Sequence, residues 1–271
     1  PLGVAGAGVA TVVAQLLSGL ACVWYIFKRF PSLRLSTEDW KLTSKDISDH
    51  LRMGLPIGFQ SSIIAIGSLM LQFALNGLGS VSVAAFTAAS KLESLGSLPL
   101  ISFGLATSTF VAQNYGAGKV HRIQTGVLQA SGMALAWSVF IGTIFVVFGA
   151  PLSGFFVGEQ AEAIRLSAIY LKVTGLSIWI LGLLFVFRYT LQGLGQSFVP
   201  TFAGVMELVM RGIGSVVLVG AFGFTGACLC NTAAWTGSAV PLVIAFFITM
   251  RRLVFSHPEP EVEAVVETVT E

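Results

Sequence analysis

Charge is what this sequence has least of. Asp and Glu number 13 and Lys and Arg 15 in 271 residues, so charged residues make up 10% of the chain, against about 25% in a soluble domain. No water-facing surface of ordinary composition can be assembled from so few. Histidine and cysteine are scarcer still, at three each. His50, His121 and His257 are scattered, and Cys22, Cys228 and Cys230 sit in apolar stretches without metal-ligand spacing, so neither a metal site nor a disulfide framework is expected. A net charge of +2 gives no electrostatic reason to bind nucleic acid. The glycine-rich run from Gly3 to Gly8 has no preceding strand and no Walker lysine, which excludes a nucleotide-binding phosphate loop.

What is abundant is hydrocarbon. Hydrophobic residues make up 55% of the chain, and the mean hydropathy is +0.85. Residues 4–27, 53–90, 123–158 and 212–250 carry no charge at all. Each run meets or exceeds the roughly 20 apolar residues that cross a bilayer core, and the longer ones must fold back as helical hairpins. The pattern predicts an all-α integral membrane protein with about seven spans, near 4–27, 53–76, 82–112, 123–149, 163–190, 198–221 and 227–250. Turn residues separate them at Asn76 to Gly79, Asn114 to Gly118, Gly149 to Pro151, Gly193 to Gly195 and Gly223 to Gly226.

Loop charges set the orientation. Lys28, Arg29, Arg34, Lys41, Lys45 and Arg52 lie between the first two spans, Lys119 and Arg122 after the third, and Arg251 and Arg252 after the seventh. The opposite loops hold only Arg165, beside Glu159 and Glu162. The basic side is therefore expected to be cytoplasmic, with Trp24, Tyr25 and Trp40 forming an interfacial belt next to it. Residues 253–271 read as an acidic, solvated cytoplasmic tail. A faint repeat links the ends: Gly3-x-x-Gly6-Ala7 opens the first span as Gly223-x-x-Gly226-Ala227 opens the last, and both spans close on a basic pair. On that reading residues 1–30 are the last helix of one lobe, 31–52 the cytoplasmic inter-lobe loop, and 53–252 a complete six-helix lobe, with most of the first lobe lying upstream of Pro1.

Several motifs carry a family resemblance. The stretch from Ala89-Ser90-Lys91-Leu92-Glu93 to Gly104, then Gln113-Asn114-Tyr115-Gly116-Ala117-Gly118-Lys119 and Arg122-Ile123, resembles the eighth helix and following loop of bacterial multidrug and toxic compound extrusion (MATE) transporters. Gly54-Leu55-Pro56 with Gln60-Ser61, Asn76-x-x-Gly79, and Leu191-Gln192-Gly193-Leu194-Gly195 extend it across about 1–252. The resemblance implies a twelve-helix, two-lobed fold of which this chain supplies the sixth helix and the whole second lobe. It also implies a bacterial inner-membrane antiporter, its carboxyl terminus cytoplasmic, that exports amphipathic or cationic small molecules in exchange for H+ or Na+. Its partners would be the cargo, the bilayer and the missing first lobe. No cofactor is implied beyond the coupling ion. Many relatives carry a coupling carboxylate on the first, seventh or tenth helix, and the segments matching the seventh and tenth have none here.

Two carboxylates fall within spans, where an ionised residue at the centre costs about 2.5 to 3.5 kcal/mol. Glu93 has Ala89, Ser90, Gly96 and Ser97 as helical neighbours, a small and polar face that points it into the protein or a wet cavity, either as a proton or cation site or as a carboxylate paired with Lys91 or a neighbouring helix. Lys91, two positions away, lies on a different face. Glu207 and Arg211, four apart, are expected to pair as a structural lock, or to compete with a proton or substrate as the lobe moves. On the second span Ser61, Ala65, Ser68 and Gln72 form a polar line, joined by Gln60 and Asn76, that either meets a ligand or bonds neighbouring helices. Pro56, Pro99, Pro200 and Pro241 are candidate bends.

Three other functions compete with the antiporter. A lipid-linked oligosaccharide flippase would need a cationic cavity for pyrophosphate, and Arg211 reads as the only arginine deep in a span, beside an acid. A membrane-embedded enzyme would need a nucleophile with its base, and no histidine lies in a span. The third alternative is a fragment inactive without its first lobe.

Overall fold

The computed structural model describes residues 3–30, 43–158 and 160–256. Six helical runs and no strand occur among the described residues: α1 (Gly3–Arg29), α2 (Ser44–Asn76), α3 (Ser80–Gly116), α4 (Val120–Val157), α5 (Ala161–Gly193) and α6 (Phe198–Ser256). All six are long and apolar enough to cross a membrane. The chain divides into two units, 1–51 and 52–271.

The first unit holds α1, which is apolar on every side. Val12, Leu16, Leu17 and Leu20 are all exposed, a helix whose faces need lipid or protein around them. Near its basic end the Lys28 ammonium lies 4.8 Å from the Trp24 ring centroid, a cation and an amphipathic ring of the kind found at a bilayer interface. The start of α2 also belongs to this unit and comes earlier than the pattern at 53–76 predicts. Thr43 caps it: the Asp46 amide donates to Thr43 Oγ1 at 3.3 Å, and the Thr43 amide donates to Asp46 Oδ2 at 3.0 Å. This reciprocal box begins the helix in the polar segment, before any apolar periodicity starts. Trp40, Glu159, His257 and the acidic tail from 257 onward fall outside the described residues.

In the second unit the helices close around α5. Half of its most apolar stretch is buried, against 28% for α4, so α5 is the axis of the lobe. Glycine lets the neighbours approach. A Cβ on Gly175 of α5 would lie 2.7 Å from the Gly142 carbonyl of α4, and one on Gly193 would lie 2.5 Å from the Ser108 carbonyl of α3. Association inside lipid relies on such close backbone contact, because lipid tails leave no hydrophobic difference to drive it.

Two differences from the sequence reading have physical causes. The expected turn at 149–151 does not break α4, which runs through Pro151 to Val157. Proline deletes one backbone bond, to the carbonyl four residues back, and the flanking turns hold the helix together. The last two predicted spans form one continuous run, α6, which reverses at Gly223 (φ 56, ψ −129) without a loop. The seven expected crossings therefore appear as six runs, the last made of two arms. Gly226 completes the reversal, because a Cβ there would strike the Leu218 carbonyl.

Candidate functional site

Two polar clusters sit inside the second unit, both fixed on α5. The first is built from three helices. The Tyr170 hydroxyl of α5 donates to the Glu93 carboxylate of α3, Asn231 Nδ2 of the second arm of α6 donates to the Tyr170 oxygen at 3.0 Å, and Ser90 Oγ donates to it at 3.5 Å. Tyr170 is fully enclosed, its ring packed edge-on against Phe86 with centroids 4.9 Å apart. Glu93 is half-buried. The carboxylate is thus held inside the second unit by a fixed donor on a neighbouring helix, which suits a group that takes up and gives back a small cation.

The second cluster lies around Glu207 on the first arm of α6. Its two oxygens accept from two arginines, Arg188 Nη2 of α5 at 2.9 Å and Arg211 Nη2 at 3.1 Å. Arg188 also donates to Ser238 Oγ at 3.0 Å. Arg211 donates to Ser68 Oγ of α2 at 3.1 Å and to the Ile64 carbonyl at 3.3 Å. All three charged residues are at most 7% exposed. With two guanidiniums on one carboxylate the cluster is a cation overall, and both arginine Nε atoms lack a partner. Next to it, Gln192 Nε2 of α5 donates to Gln60 Oε1 of α2 at 3.2 Å. The two arms of α6 meet at Gly214, where an added Cβ would lie 2.9 Å from Cys230 Sγ, and the following residue is Asn231.

The expected site residues therefore separate. Glu93 stands in the first cluster; Glu207, Arg211, Ser68 and Gln60 are brought together in and beside the second. Gln72 and Asn76 bond each other, Gln72 Nε2 donating to Asn76 Oδ1 at 3.3 Å. Ser61 donates to the Ile57 carbonyl of its own helix at 3.1 Å. Sequence reasoning missed Tyr170, Asn231, Ser238 and Arg188. Arg211 is not the only arginine deep in the lobe: Arg188 is equally enclosed, and its place near the end of the predicted span concealed it. Each missed residue is a polar group in an apolar run, the one signal that was available. An open apolar groove lies elsewhere, between α4 and α5, lined by Val139, Thr143, Val147, Leu176 and Trp179.

This arrangement of helices is already known. A family model, MatE, matches residues 56–217. The chain belongs to the MatE family. It is 26% identical over 73% of its length to the probable multidrug resistance protein NorM of Thermotoga maritima, covering 42% of that protein. It is 22% identical over 95% of its length to the multidrug export protein MepA of Staphylococcus saprophyticus, covering 57% of it. Among solved structures, the outward-facing conformation of a multidrug resistance MATE family transporter of the MOP superfamily superposes with a TM-score of 0.82 at 21% identity, over 95% of this chain and 57% of that one. The chain spans about half the length of the curated relatives it matches. This MatE-family chain is accordingly an all-α, multi-pass membrane protein.

Proposed function

We propose that this lobe works in a secondary antiporter that exports amphipathic or cationic small molecules in exchange for H+ or Na+, with Glu93 as the coupling carboxylate. The observation that carries the reading is the Glu93–Tyr170–Asn231 chain, which links α3, α5 and the second arm of α6 through one ionisable group. With Glu93 ionised, the Tyr170 donor ties α3 to α5; a proton or sodium ion on Glu93 competes for the same oxygens and loosens that tie. Cargo and ion then influence each other through the lobe's conformation, and the influence is reciprocal. A first lobe outside this chain would supply the opposite wall, as in transporters built from paired repeats. The setting is a bacterial inner membrane with the Arg251–Arg252 end in the cytoplasm.

Arg188 strengthens the cationic interior that a pyrophosphate-handling flippase would need. Both arginines, however, are enclosed and share Glu207, which favours a structural role over a ligand cavity. The decisive experiment uses the full-length transporter in proteoliposomes under an imposed proton or sodium gradient. Glu93→Gln should abolish gradient-driven export of a fluorescent amphipathic dye, and Tyr170→Phe should lower it several-fold. Export by Glu93→Gln with undiminished dependence on the gradient removes Glu93 from coupling.

A further inference from the structure

Charge inside the second unit is confined to four side chains. Among its described residues, Glu93, Glu207, Arg188 and Arg211 are the only charged groups that are not exposed, two carboxylates against two guanidiniums. Glu162, the remaining described acid of this unit, is exposed and paired with Arg165. The Glu207 cluster alone carries one positive charge in excess, and its three members are at most 7% exposed, too deep for dissolved salt to screen them well. An uncompensated charge in such a place is costly. The one described acid left inside to balance it is Glu93.

The two clusters share their supports. Tyr170, which binds Glu93, and Arg188, which binds Glu207, both stand on α5. On α6, Arg211 lies one turn before Gly214, whose added Cβ would come within 2.9 Å of Cys230 Sγ on the second arm. The next residue, Asn231, donates to Tyr170 at 3.0 Å. The close approach of the arms thus sets Arg211 beside the turn that serves Glu93, near enough for their opposite charges to interact. Of the other ionisable groups, Cys228 lies beside Tyr170, α4 has none beyond Arg122, and Arg52 of α2, Lys91 of α3 and Lys172 of α5 are exposed. A cation that settles on Glu93 leaves the arginines one charge in excess, and their repulsion favours its release.

We infer that the Arg188–Glu207–Arg211 cluster sets how tightly Glu93 holds its coupling ion, through the single positive charge it keeps inside the same unit. The inference rests on the antiport reading only for the ion's role in transport. Neither arginine touches the ion, so both are positioning residues. The test titrates the Glu93 carboxyl of the purified full-length protein by infrared spectroscopy, its band being the one lost in Glu93→Gln. A unit charge about 10 Å away, at an effective dielectric of about 20, changes proton affinity roughly tenfold. Arg211→Gln and Arg188→Gln should each tighten proton binding by about that factor, Arg211→Lys should match the parent, and Glu207→Gln should weaken binding about tenfold. The double variant Glu207→Gln with Arg211→Gln keeps one excess positive charge and should return to the parental affinity. That restoration separates charge from packing, since both single changes disturb the fold in the same direction, and it carries the test if Glu207→Gln fails to fold. Unchanged affinity in the arginine variants, failure of the double variant to restore it, or a band that ignores pH in parent and variants overturns the inference. Gradient-driven dye export is measured alongside: an affinity that follows the charge while Glu93→Gln still exports with full gradient dependence defeats the antiport reading and leaves the electrostatic linkage standing.

Discussion

At the scale of single residues, the members of the Glu207 cluster are not equivalent. Removing the carboxylate leaves two enclosed guanidiniums facing one another without an anion, whereas removing Arg188 leaves a neutral pair four residues apart on one helix. Breaking a buried pair from one side costs about 3 to 5 kcal/mol, because the remaining charge is stranded. Glu207→Ala should therefore lower the thermal unfolding midpoint of the detergent-purified protein far more than Arg188→Gln does. Equal shifts for the two would mean that water reaches the cluster and screens it. The expectation of a Glu207–Arg211 lock was legible from the spacing of the two residues on one helix. Arg188 was not, since its partner lies on a different helix and nothing in the linear order brings them together.

At the scale of elements, α6 depends on two glycines for different reasons. Gly223 adopts a left-handed φ of 56 that side chains rarely take, and Gly226 faces the Leu218 carbonyl with no room for a methyl group. Gly220, in the same helix, has open space around it. Gly220→Ala should be neutral or stabilising by up to about 1 kcal/mol through helix propensity. Gly226→Ala should force the two arms apart, with loss of folded protein on size exclusion and disruption of both clusters, since Asn231 and Ser238 ride on the second arm. Similar behaviour of the two variants would show that the reversal tolerates side chains. The turn signal at 223–226 was readable in the sequence. That it would close within a single residue was not, because closure follows from how the arms pack.

For the whole molecule, the distribution of charge between the two ends of the helices fixes how it enters a membrane. Arg165 is neutralised by Glu162 through a bidentate pair, at 2.9 Å from Nε and 2.7 Å from Nη2, while Lys119, Arg122, Arg251 and Arg252 are exposed at the other ends of their helices. The basic side should face the cytoplasm. A single cysteine placed at Lys119 in a cysteine-free background should react with an impermeant maleimide only in inside-out vesicles, and one placed at Gly158 only in right-side-out vesicles; the reverse pattern would invert the orientation. By itself the sequence determined that lipid is the solvent and which carboxylates stand inside, because solvation and helical spacing are local properties. Which groups meet was decided only by packing: Tyr170 with Glu93 and Arg188 with Glu207. Each depends on the rotation of one helix about another, set by glycine contacts far apart in the chain.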